Sequence, residues 1–191
     1  MSNLHWWHPS ARLWNTLSNL AYPLVGWLAQ QHVGSMEAVV VALALTYLGV
    51  TSGGYHWFGG KRWQAADWSG MYAIFGALAP WLLIAPFADE LSIPLWVFMA
   101  LCSVAAATLL SWRFRQVGTN GLLAVLLVLA LVPAFGNGDR LMVGVALGWF
   151  LVGMGVWQLD QRTALLGYWG HAAWHGATAL AFGALFLAGV A

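Results

Sequence analysis

Seven apolar runs, each near the roughly 20 residues a helix needs to cross a bilayer, fill this chain almost from end to end. They cover approximately residues 13–30, 36–58, 65–86, 92–112, 119–136, 139–158 and 163–190. Polar and turn-forming residues separate them: Gln30-Gln31-His32, Gly59-Gly60-Lys61-Arg62, Asp89-Glu90 after Pro86, Arg113 and Arg115, Gly136-Asn137-Gly138-Asp139, and Asp160-Gln161-Arg162. Within lipid every backbone N–H and C=O must find a partner inside the protein, and a helix achieves this within one segment. The runs therefore predict an all-α integral membrane protein, a seven-transmembrane-helix bundle forming a single domain over residues 1–191, without a linker or an internal repeat.

Composition agrees. The chain is 61% hydrophobic and only 7% charged, against about 25% charged for a soluble domain. A net charge of +1 gives no reason to expect a nucleic-acid partner. The single cysteine, Cys102, lies in an apolar run and reads as a small packing residue. Residues 1–12 lack the apolar core of a cleavable signal peptide.

Charge orients the bundle. With seven spans, the amino terminus and alternate loops share one side, which carries Arg12, Lys61, Arg62, Arg113, Arg115 and Arg162 of the 7 basic residues. Only Arg140 falls on the other side, beside Glu37, Asp89, Glu90 and Asp139. The positive-inside rule places the amino terminus in the cytoplasm and the carboxyl terminus outside. Most of the 14 tryptophans fall near segment ends, as an aromatic belt requires. Short loops and compact length suggest a bacterial inner (plasma) membrane protein. Glycines such as Gly144 and Gly148 read as helix-packing positions.

Against this background five polar residues stand out: Ser52, His56, Asp67, His171 and His175. Ionisable groups inside apolar spans are costly and are functional by default. His171 and His175 are four apart, so a helix sets both on one face, and Ser52 and His56 share that spacing. Asp67 opens the third run, eleven residues after His56. The second, third and seventh runs all reach the basic side at this point. One tension remains: His175 sits about 6 Å deeper than His171 on a helix, whereas Asp67 lies close to the start of its run.

Three neutral imidazoles, His56, His171 and His175, suit a zinc site that leaves a fourth position for water. Zinc lowers the pKa of such a water to about 7. Asp67 is placed to take its proton and pass it to a leaving group, and Ser52 to hydrogen-bond the water or a carbonyl oxygen. Each residue also has a structural reading. A lone buried histidine is more often a bonded core group, a serine often bonds back to its own helix, and an aspartate at a helix start often serves as a cap. His5, His8 and His32 read as surface residues. Asn15 and Asn19, four apart in the first run, read as helix-joining hydrogen-bond groups.

Taken together, Ser52-x-x-x-His56, Asp67 and His171-x-x-x-His175 resemble the motif of the CREST superfamily of seven-helix membrane hydrolases. That superfamily includes alkaline ceramidases, adiponectin receptors with hemolysin III proteins, and GPI-lipid-remodelling hydrolases. Trp14-Asn15-Thr16-Leu17-Ser18-Asn19 and Gly170-His171-Ala172-Ala173-Trp174-His175 are similar to the first-helix and last-helix signatures of alkaline ceramidases. The likeness spans the first three and the last runs, while the fourth to sixth match only in hydropathy. The resemblance implies a zinc ion held by His56, His171 and His175, with Asp67 and Ser52 around its water. It implies hydrolysis of a membrane-lipid amide such as ceramide. Eukaryotic members bind calcium through acidic residues at the amino terminus. Here no acidic residue precedes Glu37, and Arg12 stands just ahead of the Trp14-Asn15 motif, so no calcium site is expected.

Zinc-hydroxide chemistry serves esters as well as amides, which leaves a lipid esterase or phospholipase as an alternative. A receptor protein of adiponectin-receptor or hemolysin III type, keeping the zinc fold for ligand sensing, is another. A transporter fits less well, because such proteins place charged or broken-helix sites near the midplane and often carry repeats.

Overall fold

The computed structural model describes residues 8–84, 139–163, 166, 167 and 169–188. Six helices occupy these residues: α1 (Pro9–Ser18), α2 (Ala21–Val33), α3 (Met36–Phe58), α4 (Gly60–Ile84), α5 (Arg140–Thr163) and α6 (Gly170–Ala188). Among the described residues there is no strand, as the all-α expectation requires. The runs at 92–112 and 119–136, with Cys102, Arg113 and Arg115, lie outside the described residues. So do His5 and the first two tryptophans.

Local chemistry accounts for the helix ends. His8 caps α1, its Nδ1 accepting from the Ser10 N–H, and Pro9 takes the first helical position. Ser35 caps α3 by accepting from the Ala38 N–H at 3.2 Å, and Asp139 caps α5 by accepting from the Leu141 N–H at 2.8 Å. Between α3 and α4 the chain turns on Gly59 and Gly60, with φ of 69° and 80°. Only glycine enters that left-handed region without steric cost, and the turn brings α4 straight back against α3.

The first apolar run is two helices, where one span was expected. Pro23 has no N–H to offer the Asn19 carbonyl, and its ring crowds that carbonyl. The Asn19 and Leu20 N–H groups therefore tighten onto Thr16 and Leu17 at 3.2 and 3.0 Å, and the helix breaks there. Gly49 of α3 packs into the break: a Cβ on it would lie 2.8 Å from both the Asn19 carbonyl oxygen and Pro23 Cδ. Other boundaries shift as well. α4 starts at Gly60, five residues before the expected 65, so Asp67 lies two turns inside it. α5 continues to Thr163, which puts Asp160 within a helix and buries it.

α6 is the central helix. Thirteen of its nineteen residues are buried, and it packs against α1, α2, α4 and α5. Phe182 meets Phe75 of α4 and Phe150 of α5 edge-on, at ring distances of 5.5 and 5.4 Å, and lies 6.3 Å from Tyr22 of α2. Trp174 lies over Gly153 of α5, where a Cβ would come within 3.0 Å of its ring, which makes it part of that helix interface. Among the described residues nothing lies within 4 Å of a Cβ at Gly144 or Gly148, so no packing partner for that face of α5 is found there.

Large apolar residues face outward. Along α2, Leu24, Trp27 and Leu28 are exposed, while Tyr22, Gly26 and Ala29 point inward. Two of the described helices, over Ala38–Phe58 and Arg140–Asp160, are long and apolar enough to cross a membrane.

Packing on Phe182 carries a clear expectation. Phe182→Ala lowers unfolding free energy by about 3 kcal/mol, whereas Leu24→Ala, at a side chain 62% exposed, changes it by less than about 0.5 kcal/mol. Thermal unfolding of both variants in the same detergent checks this.

Candidate metal centre

Three histidines, one from α3 and two from α6, meet at one place in the bundle. Their ring centroids form a nearly equilateral triangle, with sides of 4.8 Å (His56–His171), 4.9 Å (His56–His175) and 4.6 Å (His171–His175). His175 is buried, and His56 and His171 are partly buried. The Nε2 atoms of His56 and His171 stand 3.2 Å apart. Two nitrogens each about 2.05 Å from one tetrahedral ion are about 3.3 Å apart, so this pair already has the spacing of ligands. One ligand nitrogen from each of the three rings lies within 4.8 Å of the others, which leaves at most about 1.5 Å of closure for the widest pair. The arrangement can hold one metal ion through three nitrogens and leave a fourth position open.

The break in the first run supplies the support behind His175. Because the Asn19 N–H turns back to Thr16, the Asn15 carbonyl loses its usual helical donor. It accepts instead from Ser18 Oγ at 3.0 Å and from Asn19 Nδ2 at 2.6 Å. His175 Nδ1 lies 2.8 Å from Ser18 Oγ and 3.2 Å from Asn19 Nδ2. The Ser18 hydroxyl gives its one hydrogen to the Asn15 carbonyl, so toward His175 it accepts and the ring nitrogen is the donor. This assigns the proton to Nδ1 and leaves the Nε2 lone pair directed away from α1. A metal-binding imidazole needs its other nitrogen held in this way.

A second polar pair adjoins the triangle. Ser52, buried one turn before His56 on α3, donates a hydrogen bond to the Asp67 carboxylate of α4. Close approach of the two helices permits it: a Cβ on Gly70 would lie 2.5 Å from Thr51 Oγ1 and 2.9 Å from Leu48 Cα. Asp67 lies two turns into α4, so it reaches the depth of Ser52, and the tension between a deep His175 and a shallow Asp67 disappears. Within the protein, the partner of the Ser52 hydroxyl is Asp67. α3 carries one member of each group, a turn apart.

Arg12 ties the start of α1 to the end of α3. It donates to the Trp57 carbonyl at the end of α3 and lies 5.8 Å from the Trp57 ring, where a cation complements the helix carboxyl end. His8 and His32 are exposed, as expected of surface residues.

Sequence reading placed Asn15 and Asn19 as helix-joining groups, and Asn19 does approach His175 of α6. It missed Ser18, Tyr22 and Thr178. The Tyr22 hydroxyl meets Thr178 Oγ1 at 2.7 Å, one turn below His175. A signal was present: Asn15, Ser18, Asn19 and Tyr22 follow i, i+3, i+4, i+7, a polar stripe on one helical face, answered by His171, His175 and Thr178.

No protein-family model and no curated protein matches this chain, so the metal centre stands on geometry. It yields a specific expectation. Ser18→Ala removes the acceptor nearest His175 Nδ1 and weakens zinc binding by about tenfold or more, measured by chelator competition. Thr46→Ala, at a hydroxyl bonded to Trp27 on the outer side of α3, leaves zinc binding unchanged.

Proposed function

We propose that this protein is a zinc-dependent intramembrane lipid hydrolase, ceramidase-like, that cleaves a lipid amide. The observation that carries the reading is the histidine triangle, one turn of α3 away from the Ser52–Asp67 pair. Three neutral imidazoles are the donor set of a catalytic zinc site, although imidazole also suits copper, iron and nickel. The reading takes up the resemblance of Ser52, His56, Asp67, His171 and His175, in their spacing, to the CREST superfamily.

A bound zinc supplies a water nucleophile at neutral pH and polarises the substrate carbonyl. His56, His171 and His175 hold the ion, and the bond from His175 Nδ1 to the α1 break fixes one of the three rings. Asp67 takes the proton of the attacking water and returns it to the amide nitrogen as the carbon–nitrogen bond breaks, giving an amine and a carboxylic acid. Ser52 orients the Asp67 carboxylate through its hydrogen bond. Apolar walls exclude bulk water and strengthen the pull of positive charge on the carbonyl.

A membrane setting is supported by the inverted pattern of α2, with leucines outside and small or polar residues inside. We place the chain in a bilayer as a seven-helix bundle, with the start of α1, the α3–α4 turn and the α5–α6 connection on the cytoplasmic side. A lipid substrate reaches such a site laterally. The membrane is a bacterial inner membrane in this reading, and the carboxyl terminus faces outside.

Asp67→Asn separates chemistry from metal binding. It lowers fatty-acid release from a short-chain ceramide in detergent micelles by about 10²–10⁴-fold while zinc content stays at the wild-type level. Activity retained within about threefold would remove Asp67 from the proton-transfer role. Parallel assays with a diacyl ester lipid distinguish an amidase from an esterase.

A further inference from the structure

Asp160 is a buried carboxylate that the proposed reaction does not use. It lies in the last turns of α5 with 1% of its surface exposed. Its carboxyl group occupies the space where Gly170 lacks a side chain: a Cβ at Gly170 would overlap Asp160 Oδ1, Cγ and Cβ. Gly170 opens α6 and immediately precedes His171.

A buried carboxylate is expensive without donors or positive charge nearby. The first turn of a helix provides both, as N–H groups without intrahelical acceptors and the positive end of the helix dipole. None of the residues in the first turn of α6 is acidic. Asp160 therefore brings in from a neighbouring helix the negative charge that α6 does not carry itself. Glycine at 170 is what allows the carboxyl to sit against the backbone of that turn.

We propose that Asp160 is a positioning residue of the metal centre, its carboxylate lodged against Gly170 to fix the first turn of α6 and with it the placement of His171. The inference rests on the metal reading above. His175 is fixed from behind by the α1 break; His171, a turn nearer the helix end, is fixed through α5. The two supports act at opposite ends of the His171–His175 pair, and loss of either spreads the triangle.

Zinc binding to the detergent-purified full chain tests this by chelator competition, together with the ligand-field absorption of the cobalt(II)-loaded protein. Asp160→Asn removes the charge, and Gly170→Ala expels the carboxyl while leaving the charge in the chain. Alanine is the better helix former, so lost affinity in Gly170→Ala reports displacement of the carboxyl and not a weakened helix. Each variant is expected to bind zinc about tenfold or more weakly and to shift the cobalt(II) bands, with apo Gly170→Ala still folded. Should Asp160→Asn fail to fold, Gly170→Ala decides alone. Zinc affinity and cobalt(II) spectra unchanged from wild type would overturn the positioning role, as would lower apo stability with metal affinity intact. Wild-type protein that binds neither zinc nor cobalt(II) would remove the metal centre itself, and this role with it.

Discussion

A single carbonyl released from its helix organises the centre of this protein. Pro23 cannot donate to Asn19, the helix tightens and breaks, and the Asn15 carbonyl is left to accept from Ser18 and Asn19, whose side chains in turn meet His175 Nδ1. The break thus becomes a mount for an imidazole. It also fixes which nitrogen of His175 carries the proton, and so which one can face a metal. Buried polar groups in an apolar bundle must be partnered, and this network partners the most deeply buried histidine from the neighbouring helix.

Around that mount the helices come together by close backbone approach. Gly49 admits the break against α3, Gly70 brings α4 within reach of Ser52, and Gly170 admits the Asp160 carboxyl. Each of these contacts lies within a turn or two of a residue in the candidate site. Farther along α6, Phe182 gathers rings from α2, α4 and α5. The arrangement separates a polar half, where α1, α3, α4 and α6 meet around the histidines, from an aromatic and aliphatic half that holds the bundle together. Stability can thus rest on packing remote from the site, where ligand geometry is held by hydrogen bonds.

Much of this was legible in the residues themselves. The apolar runs at 36–58 and 139–158 match α3 and most of α5, because a long apolar stretch bounded by Gly-Gly or Gly-Asp has few alternatives to a helix. His171 and His175 at i, i+4 had to share a face, and spacing alone paired Ser52 with His56. Partners across helices were harder to read. Whether Asp67 reaches Ser52 depends on where α4 begins, and that depends on two glycines turning at positive φ and not on hydropathy. Asp160 reads as loop punctuation in the sequence because a charge normally ends an apolar run; its burial follows only once Gly170 is seen to leave room for it. Ser18 was hidden by its ordinariness, although the Asn15, Ser18, Asn19, Tyr22 stripe and Pro23 four residues after Asn19 both marked the place.

The central claim is that His56, His171 and His175 hold one zinc ion. Elemental mass spectrometry on detergent-purified protein, prepared without chelators, tests it most directly, with His175→Ala beside the wild type. The account predicts about one zinc per wild-type chain and its loss in the variant, since two imidazoles without the third no longer close the site. Wild-type protein free of any transition metal, and unable to take up added zinc, would contradict it and leave the histidine triangle as a hydrogen-bonded element of the core.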